Sequence, residues 1–423
     1  MTTTTKNTIV KTSTAASCHI ARATLLASLA EAKGYVASKH PILGSVRLTF
    51  NNGGPGGTTG TLSIQATDLQ RWYMDVLNPD SIDAALGTVT VICDAKKLHD
   101  IVKAMDDEHI TLKGTLTKTV TDIPSSKVGP KVEHASLVQV ESATGEYSVK
   151  GGDSTLFPDT PTPPSLWTTY DARALSLALS TAEPFVSKDT TRAHLNAALV
   201  EVTPDKIQAI ATDGHRLAKI VRAAQHVVAQ PVRFLVPLAA IGDVLDRCKT
   251  LIKQRSGAGI IIGLQGNTVF WKGEGARCYA VQHDVCADMF PPYEQVIPRT
   301  LDRGVTVDRS LLLATAKRLL TVASKTAGCA FRLPASSAMP PHILLIDTDD
   351  GEGQTAKEKL PIQLAAFAGM PLAIGVNLKY LIEALDSYTG KTVYLGFNSD
   401  LDPIGVKQSA TDEDIVVIMP MRL

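Results

Sequence analysis

The segment ATDGHRL, from Ala211 to Leu217, holds the residues that come nearest to a catalytic group. Asp213 and His215 could act as an orienting acid and a general base, because a carboxylate and an imidazole within hydrogen-bond reach can share a proton. No nucleophile motif and no second carboxylate pair accompanies them, so the sequence predicts a non-enzyme with no catalytic residue. A hydrolase that uses Asp213 and His215 is the alternative, and it predicts turnover that is lost in His215→Ala.

Sequence patterns that hold metals or nucleotides are also missing. The segment DTDDGEG from Asp347 imitates a calcium loop, but Gly351 is its fifth residue where glycine is required at the sixth. The six cysteines form no C-x-x-C pair, and no G-x-x-x-x-G-K-[ST] phosphate loop occurs. We therefore expect no metal and no cofactor.

Composition indicates a globular protein with several domains. The chain has 423 residues, which at roughly 100–200 residues per domain predicts two to four domains. Lys plus Arg equals Asp plus Glu at 42 each, so any contact with nucleic acid must come from locally segregated charge. The scattered cysteines and the lack of an apolar run of about 18 residues predict a cytoplasmic protein with no membrane partner.

The sequence repeats one unit three times. Each unit opens with leucines at helical spacing, in ARATLLASLAEAKG from Ala21, DARALSLALSTAEPF from Asp171 and DRSLLLATAKRLLTVAS from Asp308. Asp171 and Asp308 are predicted N-caps of these helices. A fixed internal period predicts similar structural units.

Three later landmarks keep the same order in every unit. A strand-like stretch ends in a Thr-Asp pair, at Thr67-Asp68, Thr212-Asp213 and Thr348-Asp349. A second helix follows, in DAKKLHDIVKAM from Asp94, PLAAIGDVLDRCKTL from Pro237 and NLKYLIEALDSY from Asn377. The units close on Phe157-Pro158, Phe290-Pro291 and Met419-Pro420.

These landmarks predict an α+β fold in which amphipathic helices cover one face of antiparallel sheets. The Pro-rich stretch 157–167 and the segment 296–304 are the predicted joints, which gives domains at 1–165, 166–301 and 302–423. Gly-, Ser- and Pro-rich segments predict surface loops at 51–60, 117–134, 253–259 and 333–341.

ATDGHRL and the closing segment VIMPMRL, from Val417 to Leu423, are similar to motifs of the bacterial DNA polymerase III β subunit, the β sliding clamp family. HPILGSVRLTF at 40–50, GTLSIQATDL at 60–69, RAHLN at 192–196 and FPPYEQVIP at 290–298 also stand in the family's order. The resemblance covers nearly the whole chain. It implies three clamp domains per subunit, with sheets outside and two helices each inside, and a head-to-tail homodimer ring around duplex DNA.

The resemblance implies a processivity factor of DNA replication, with a replicative polymerase catalytic subunit, a clamp loader and other clamp-binding-motif proteins as partners. Double-stranded DNA is expected to be held without sequence readout, because sliding requires phosphate contacts of similar energy in every register. The candidate DNA-binding residues are Lys39, Lys96, Lys97, Lys103, Arg173, Lys188, Arg192, Lys317, Arg318 and Lys379.

The family binds partner peptides in a groove between its second and third domains, and most matching positions here are apolar, as peptide anchors require. They are Leu195, Thr212, Gly214, His215, Arg216, Leu217, Pro291, Gln295, Val296, Leu401, Pro403, Val417, Met419, Pro420, Met421, Arg422 and Leu423. The competing interpretation is that Leu217, Val417 and Met419 only complete the last strand and core. For Val417 alone, that interpretation is favoured.

Tyr147, Val149, Thr321 and Val322 match family positions at the subunit interface. A head-to-tail contact closes into a ring only at the right rotation, and closure removes exposed sheet edges. The alternative to a ring is a clamp-derived scaffold that recruits proteins and does not encircle DNA. Oligomeric state separates the two hypotheses.

Overall fold

A computed structural model of the chain describes residues 8–53, 60–84, 87–122, 130–224, 230–254, 259–333, 342–367 and 371–422. The predicted loops at 51–60, 253–259 and 333–341 fall largely in the gaps between these ranges. Leu423 also lies outside the described residues.

The elements follow the threefold repeat. In the first repeat they are β1 Thr8–Ala21, α1 Arg22–Ala32, β2 Ser45–Asn51, β3 Thr61–Thr67, β4 Arg71–Leu77, β5 Ser81–Ala84, β6 Thr88–Asp94, α2 Ala95–Ala104, β7 His109–Asp122, β8 Lys131–Glu141 and β9 Glu146–Gly151. In the second they are β10 Trp167–Asp171, α3 Ala172–Ala182, β11 Ala197–Val202, β12 Lys206–Thr212, β13 Arg216–Ala223, β14 Val232–Pro237, α4 Leu238–Lys253, β15 Gly259–Gln265, β16 Thr268–Lys272 and β17 Cys278–Gln282.

The third repeat has the same plan. Its elements are β18 Arg303–Asp308, α5 Arg309–Leu320, β19 Gly328–Leu333, β20 His342–Asp349, β21 Thr355–Phe367, β22 Leu372–Asn377, α6 Leu378–Asp386, β23 Thr392–Phe397, β24 Ile404–Lys407 and β25 Ile415–Ile418. The six α-helices of the described residues all lie where the sequence predicts them. Every helix of the described residues is too short or too polar to cross a membrane.

Side-chain caps fix where four of the helices begin. The Asp171 carboxylate accepts from Ala174 N at 2.8 Å, and that of Asp308 accepts from Leu311 N at 2.8 Å, so both predicted N-caps are confirmed. Asp94 and Asn377 cap α2 and α6 in the same way. Each cap satisfies a backbone N–H that has no partner inside the helix. The two helices of each repeat pack against each other.

The chain divides into two compact units. Unit 1 comprises Met1–Trp167 with Ile262–Gln282, and unit 2 comprises Thr168–Ile261 with His283–Leu423. In unit 1, one sheet has the order β5-β1-β7-β8-β9, and a second runs β16-β17-β4-β3-β2-β6. Neighbouring strands in both sheets run antiparallel.

Unit 2 is built on one sheet of twelve strands, in the order β14-β11-β12-β13-β25-β24-β23-β18-β21-β20-β19-β22. Both faces of this sheet are buried at its centre. Successive residues of a strand point to opposite faces, and Leu217 and Val417 on one face are as inaccessible as Ala218 and Val416 on the other. The Leu217 face is covered by the segment from Val285 to Ile297.

The predicted loop at 117–134 is wrong at both of its ends. β7 continues to Asp122, and β8 begins at Lys131, with paired positions from Thr117↔Ala135 to Thr121↔Lys131. Alternating Thr residues favour an extended strand over a loop, and β1 pairs with β7 along the same stretch. Residues 123–129 lie outside the described residues.

Candidate functional site

The ATDGHRL motif forms the tight turn between β12 and β13. The Thr212 hydroxyl donates to Arg216 O at 2.7 Å and accepts from Gly214 N at 3.1 Å. Asp213 Oδ1 accepts from the backbone N–H groups of His215 and Arg216, at 2.9 and 3.1 Å. Gly214 has φ +93°, a conformation that costs a side-chain-bearing residue energy. Backbone geometry therefore accounts for the Thr, the Asp and the Gly.

The first repeat builds the same turn. Thr67 donates to Arg71 O at 2.9 Å, and Asp68 Oδ1 accepts from Arg71 N at 2.7 Å. Leu69 stands at the glycine position with φ 81°. The Thr-Asp landmark found in the sequence is thus a repeated turn.

Arg216 is held by partners from both the second and the third repeat. It is 8% exposed, and its Nε donates to Asp213 Oδ2 at 3.0 Å, while Nη1 pairs with Glu383 and Nη2 donates to Pro184 O at 2.9 Å. Its guanidinium also lies over the rings of Phe185 and Tyr380, at 4.9 and 4.7 Å. A peptide carboxylate would have to compete with these internal partners for Arg216.

Arg71 is held similarly by Asp68, by Gly34 O and by the ring of Tyr35. Two repeats therefore use the arginine after the Thr-Asp turn to fix the end of their first helix.

The geometry around Asp213 and His215 is that of a turn. Asp213 uses both oxygens on the backbone and guanidinium groups of its own turn, which leaves it poorly placed to orient a catalytic imidazole. The His215 ring instead stacks on Tyr380 at 6.2 Å. Across the residues that the structure describes, no group of three His, Cys, Asp or Glu could hold a metal ion.

Strand pairing joins the motif to the end of the chain. β13 pairs with β25 in the register Arg216↔Ile418, Leu217↔Val417 and Lys219↔Ile415. Beyond β25, Met419 N donates to His215 O at 2.9 Å. Residues far apart in sequence, from the second and third repeats, therefore meet on one sheet.

The candidate groove residues fall into two sets by burial. Leu195, Leu217 and Val417 are at most 5% exposed, and the last two belong to a core cluster with Phe290 and Tyr293. Val417 is thus a core residue, as the competing interpretation states.

The second set is accessible to a ligand. Met419 is 37% exposed, Val296 39% and Leu401 73%, and Gln295 is also exposed. Pro403 lies one residue before β24, and its position faces that of Met419 if the β24–β25 register is continued. These five accessible residues, four of them apolar, are here called the groove.

The end of the chain departs from this surface. Met421 forms a β-bridge with Gly375, and its N–H donates to Gly375 O at 2.9 Å. Met421 and Arg422 line a cavity of about 510 Å³ formed by β19, β20 and β21 of the third repeat. A side chain at Gly375 would collide with the Met421 backbone, which explains the glycine.

Two residues that contact the candidate residues His215 and Arg216 were missed by sequence reasoning. Tyr380 stacks on His215, and Glu383 pairs with Arg216. They lie three residues apart on α6, so they share one helix face. That spacing was readable, but only the tertiary fold brings α6 beside the turn.

Comparison with known proteins shows which family this chain is similar to. Residues 294–422 match the family described as DNA polymerase III beta subunit, C-terminal domain. The β sliding clamp of Synechococcus elongatus is 28% identical over 389 residues, which cover 91% of this chain and 92% of that protein. The β sliding clamp of Pseudomonas putida is 25% identical over 408 residues, or 96% and 99% of the two chains.

The resemblance to the β sliding clamp family is confirmed. A solved sliding clamp from Pseudomonas aeruginosa gives a TM-score of 0.72 at 22% identity, covering 96% of this chain and 100% of that one. The predicted fold, α+β with antiparallel sheets and helix pairs, is the fold of the solved clamps.

The candidate DNA-binding residues mostly lie on or beside the helices. Lys96, Lys97 and Lys103 are exposed on α2, whose opposite face carries buried Leu98 and Val102. The other exposed members are Lys39, Arg173, Lys188, Lys317, Arg318 and Lys379.

Two of the candidate DNA-binding arginines already have acidic partners. Arg192 pairs with Asp189 at 2.9 Å and donates to Asp213 O at 3.1 Å, so it braces the turn. Arg318 pairs with Glu358 at 2.7 Å. Each is less available to a phosphate than an unpaired side chain.

The candidate subunit-interface residues differ in accessibility. Tyr147 on β9 is 48% exposed, but Val149 is 4% exposed and packs within its own unit. Thr321 is exposed just after α5, where its hydroxyl donates to Arg318 O at 2.7 Å, and Val322 is half-buried. Tyr147 is therefore the better placed of the two β9 residues for a contact with another subunit.

Proposed function

We propose that this protein is a DNA sliding clamp, a processivity factor that encircles duplex DNA and tethers the replicative polymerase and other replication and repair proteins through the groove. The main support for a ring is a strand pairing that occurs twice inside the chain. One equivalent pair of strand edges has no partner within the described residues.

Consecutive repeats are joined by the same strands. β17, the last strand of the second repeat, pairs with β4, which follows the Thr67-Asp68 turn. β25, the last strand of the third repeat, pairs with β13, which follows the Thr212-Asp213 turn. Each joint is antiparallel and runs through four residue pairs.

Two strands equivalent to these are left. They are β9, the last strand of the first repeat, and β21, the strand after Thr348-Asp349. β9 is an edge strand, and among the described residues it pairs with β8 alone. In β21, the residues from Thr355 to Ile362 pair with β20 on one side, and β18 begins to pair only at Gln363. Both edges are therefore open within the described residues.

A second copy would fill both edges. β9 of one subunit would pair with β21 of the other, as β17 pairs with β4 and β25 with β13. Two such contacts give a closed head-to-tail homodimer of six repeats with no open edge at these joints. This arrangement supports three clamp domains per subunit, at 1–165, 166–301 and 302–423.

Topological linkage explains how a chain with equal numbers of acidic and basic residues stays on DNA. A closed ring needs only weak phosphate contacts, and the exposed lysines of α2 supply positive charge without a pattern that reads bases. The chain would have no catalytic role. Its opening would depend on a clamp loader, and its place of work would be the cytoplasm.

The test combines solution mass with retention on DNA. After loading by a clamp loader, a dimer should stay on a nicked circular plasmid and leave the same plasmid once it is linearised. The triple variant Lys96→Glu, Lys97→Glu, Lys103→Glu should remain dimeric but lose loading or processivity. The control Lys11→Glu, Lys118→Glu, Lys131→Glu changes charge equally on β1, β7 and β8 and should behave as wild type.

A monomer, or a dimer whose retention does not depend on DNA ends, would contradict the ring. Peptide binding without retention would instead favour the clamp-derived scaffold. Hydrolytic turnover that is lost in His215→Ala would contradict the non-enzymatic proposal.

A further inference from the structure

A second accessible site lies on the same sheet face of unit 2 as the groove. It is a cleft of about 520 Å³, bordered by the chain segment from Ile297 to Leu301 and by β13, β23, β24 and β25. This volume lies within the range of about 300–1,000 Å³ that is typical of ligand pockets. We call it the basic cleft.

Four cations line the basic cleft: Lys206, Lys219, Arg299 and Lys407. Two acidic residues, Asp412 and Glu413, also line it. Lys206 is paired with Glu413 at 3.3 Å, and Asp412 Oδ2 accepts from Ser409 N at 2.9 Å. Cations thus outnumber carboxylates, and one of the two carboxylates already has a lysine partner.

The excess charge resides on three side chains. Lys407 donates to Ala410 O at 3.1 Å, and it makes no ion pair with any described carboxylate. Within the described residues, no ion pair involves Lys219 or Arg299. An anionic ligand would therefore find cationic donors without displacing an internal salt bridge.

The floor of the basic cleft is apolar. Ile415 and Tyr394 are each 5% exposed, and both face the cleft together with Ile297 and Leu301. Lys219 pairs with Ile415, and Lys407 pairs with Tyr394, so charged and apolar side chains alternate across neighbouring strands. An acidic side chain that entered the cleft could therefore contact a lysine from either of two strands.

The basic cleft and the groove lie on opposite sides of Leu301. Side chains built at Gly396 and Gly405 would meet Leu301, so this residue covers the strand positions beside Val417. Met419 lies on one side of that row, and Ile415 lies on the other. They are four residues apart on an extended strand, or about 13 Å at 3.3 Å per residue.

We infer that the basic cleft binds acidic residues of a partner polypeptide, about four residues along the chain from the apolar anchors that occupy the groove. This inference rests on the proposed function, because it extends the groove to a longer partner segment. A nucleic acid strand fits less well, because the four cations border a single cleft and form no extended track along which a phosphodiester backbone could lie.

The test uses two synthetic fluorescent peptides that share Leu and Phe anchors and a four-serine spacer. One peptide carries four Glu residues after the spacer, and the other carries four Gln residues there. Each is also made in the reverse order, with these four residues and the spacer before the anchors. At about 50 mM salt, one Glu peptide should bind the full-length protein roughly three- to tenfold more tightly than its Gln counterpart, and the difference should shrink as salt screens the charges.

The double variant Lys219→Gln, Arg299→Gln should abolish the advantage of the Glu peptide and leave binding of the Gln peptide unchanged. The matched control Lys11→Gln, Lys118→Gln removes the same charge from exposed positions of unit 1 and should retain the advantage. Circular dichroism of each variant checks that the fold is intact.

Equal affinity of Glu and Gln peptides in both orders, with binding retained, would overturn the inference and leave the groove standing. Failure of all peptides to bind would remove the groove and the inference together. An oligothymidylate strand that binds wild type but not Lys219→Gln, Arg299→Gln, while Glu gives no advantage, would assign the cleft to nucleic acid and overturn the inference.

Discussion

Val417 in β25 and Met419 just after the strand are expected to have different roles, one in stability and the other in peptide binding. Val417 is 0% exposed in the core cluster, whereas Met419, two residues later, is 37% exposed in the groove. Val417→Ala should therefore destabilise unit 2, and Met419→Ala should weaken peptide binding. Val416→Ala is the matched control for the loss of a buried valine, because Val416 is also 0% exposed but points to the other face of the sheet.

The magnitudes follow from the atoms removed. Val417→Ala deletes two buried methyl groups, worth about 1.6 kcal/mol of transfer free energy, and the cavity left behind raises the loss of stability to about 2–3 kcal/mol. Met419→Ala removes a partly exposed side chain and should lower stability by about 1 kcal/mol or less. As an apolar anchor contact, however, its loss should weaken peptide binding about tenfold.

Hydrogen exchange and fluorescence anisotropy measure the two effects separately. The amide protection of residues 216–219, which pair with β25, reports the local stability of the joint. Trp72, Trp167 and Trp271 all lie in unit 1, so an unchanged tryptophan spectrum shows that the rest of the protein is intact. The reasoning is refuted if Met419→Ala reduces protection as much as Val417→Ala, or if it leaves peptide affinity unchanged.

Three further predictions concern the turn, the ring edge and the thiols. Gly214→Ala should lower the free energy of unfolding by about 1–2 kcal/mol, because φ at this residue is +93°. Leu69→Gly, at φ 81°, should leave stability unchanged or raise it. Equal thermal-shift changes in the two variants would contradict this assignment. Tyr147→Glu should convert the dimer to monomer and Tyr147→Phe should not, as measured by sedimentation velocity; a Tyr147→Glu dimer of unchanged stability would rule out this edge. Burial raises the pKa of Cys18 and Cys248 to about 12 and that of Cys278 to about 11. At pH 8 a thiol reagent should therefore react rapidly with exposed Cys286 alone. Rapid labelling of Cys18 or Cys248 would refute their burial.

Much of the fold was predictable because its signals are local. Asp171 and Asp308 cap helices through hydrogen bonds that span three residues, and leucine spacing marks the face that each helix buries. The same local chemistry explains the Thr-Asp turns, in which every hydrogen bond lies within five residues. Repetition of these signals then gave the threefold architecture.

The sequence was less informative where the same residue types serve either strand or loop. The segment 117–134, rich in Thr, Lys and Pro, predicted a loop, but pairing with β1 turns its ends into strands. Pairing across about a hundred residues is a tertiary property, and β propensity alone is too dependent on context to predict it.

By itself, the sequence determined the repeat, the helices and the turns, and it carried the resemblance to the family, since each depends on residue types at short, fixed spacing. Only the tertiary structure decided which motif residues are buried and which remain accessible. Arg216 follows the turn in sequence, yet Glu383 and Tyr380 from the next repeat occupy its guanidinium. Val417 and Met419 differ in role because the segment from Val285 to Ile297 covers one and leaves the other partly exposed, and burial of that kind depends on contacts between distant parts of the chain.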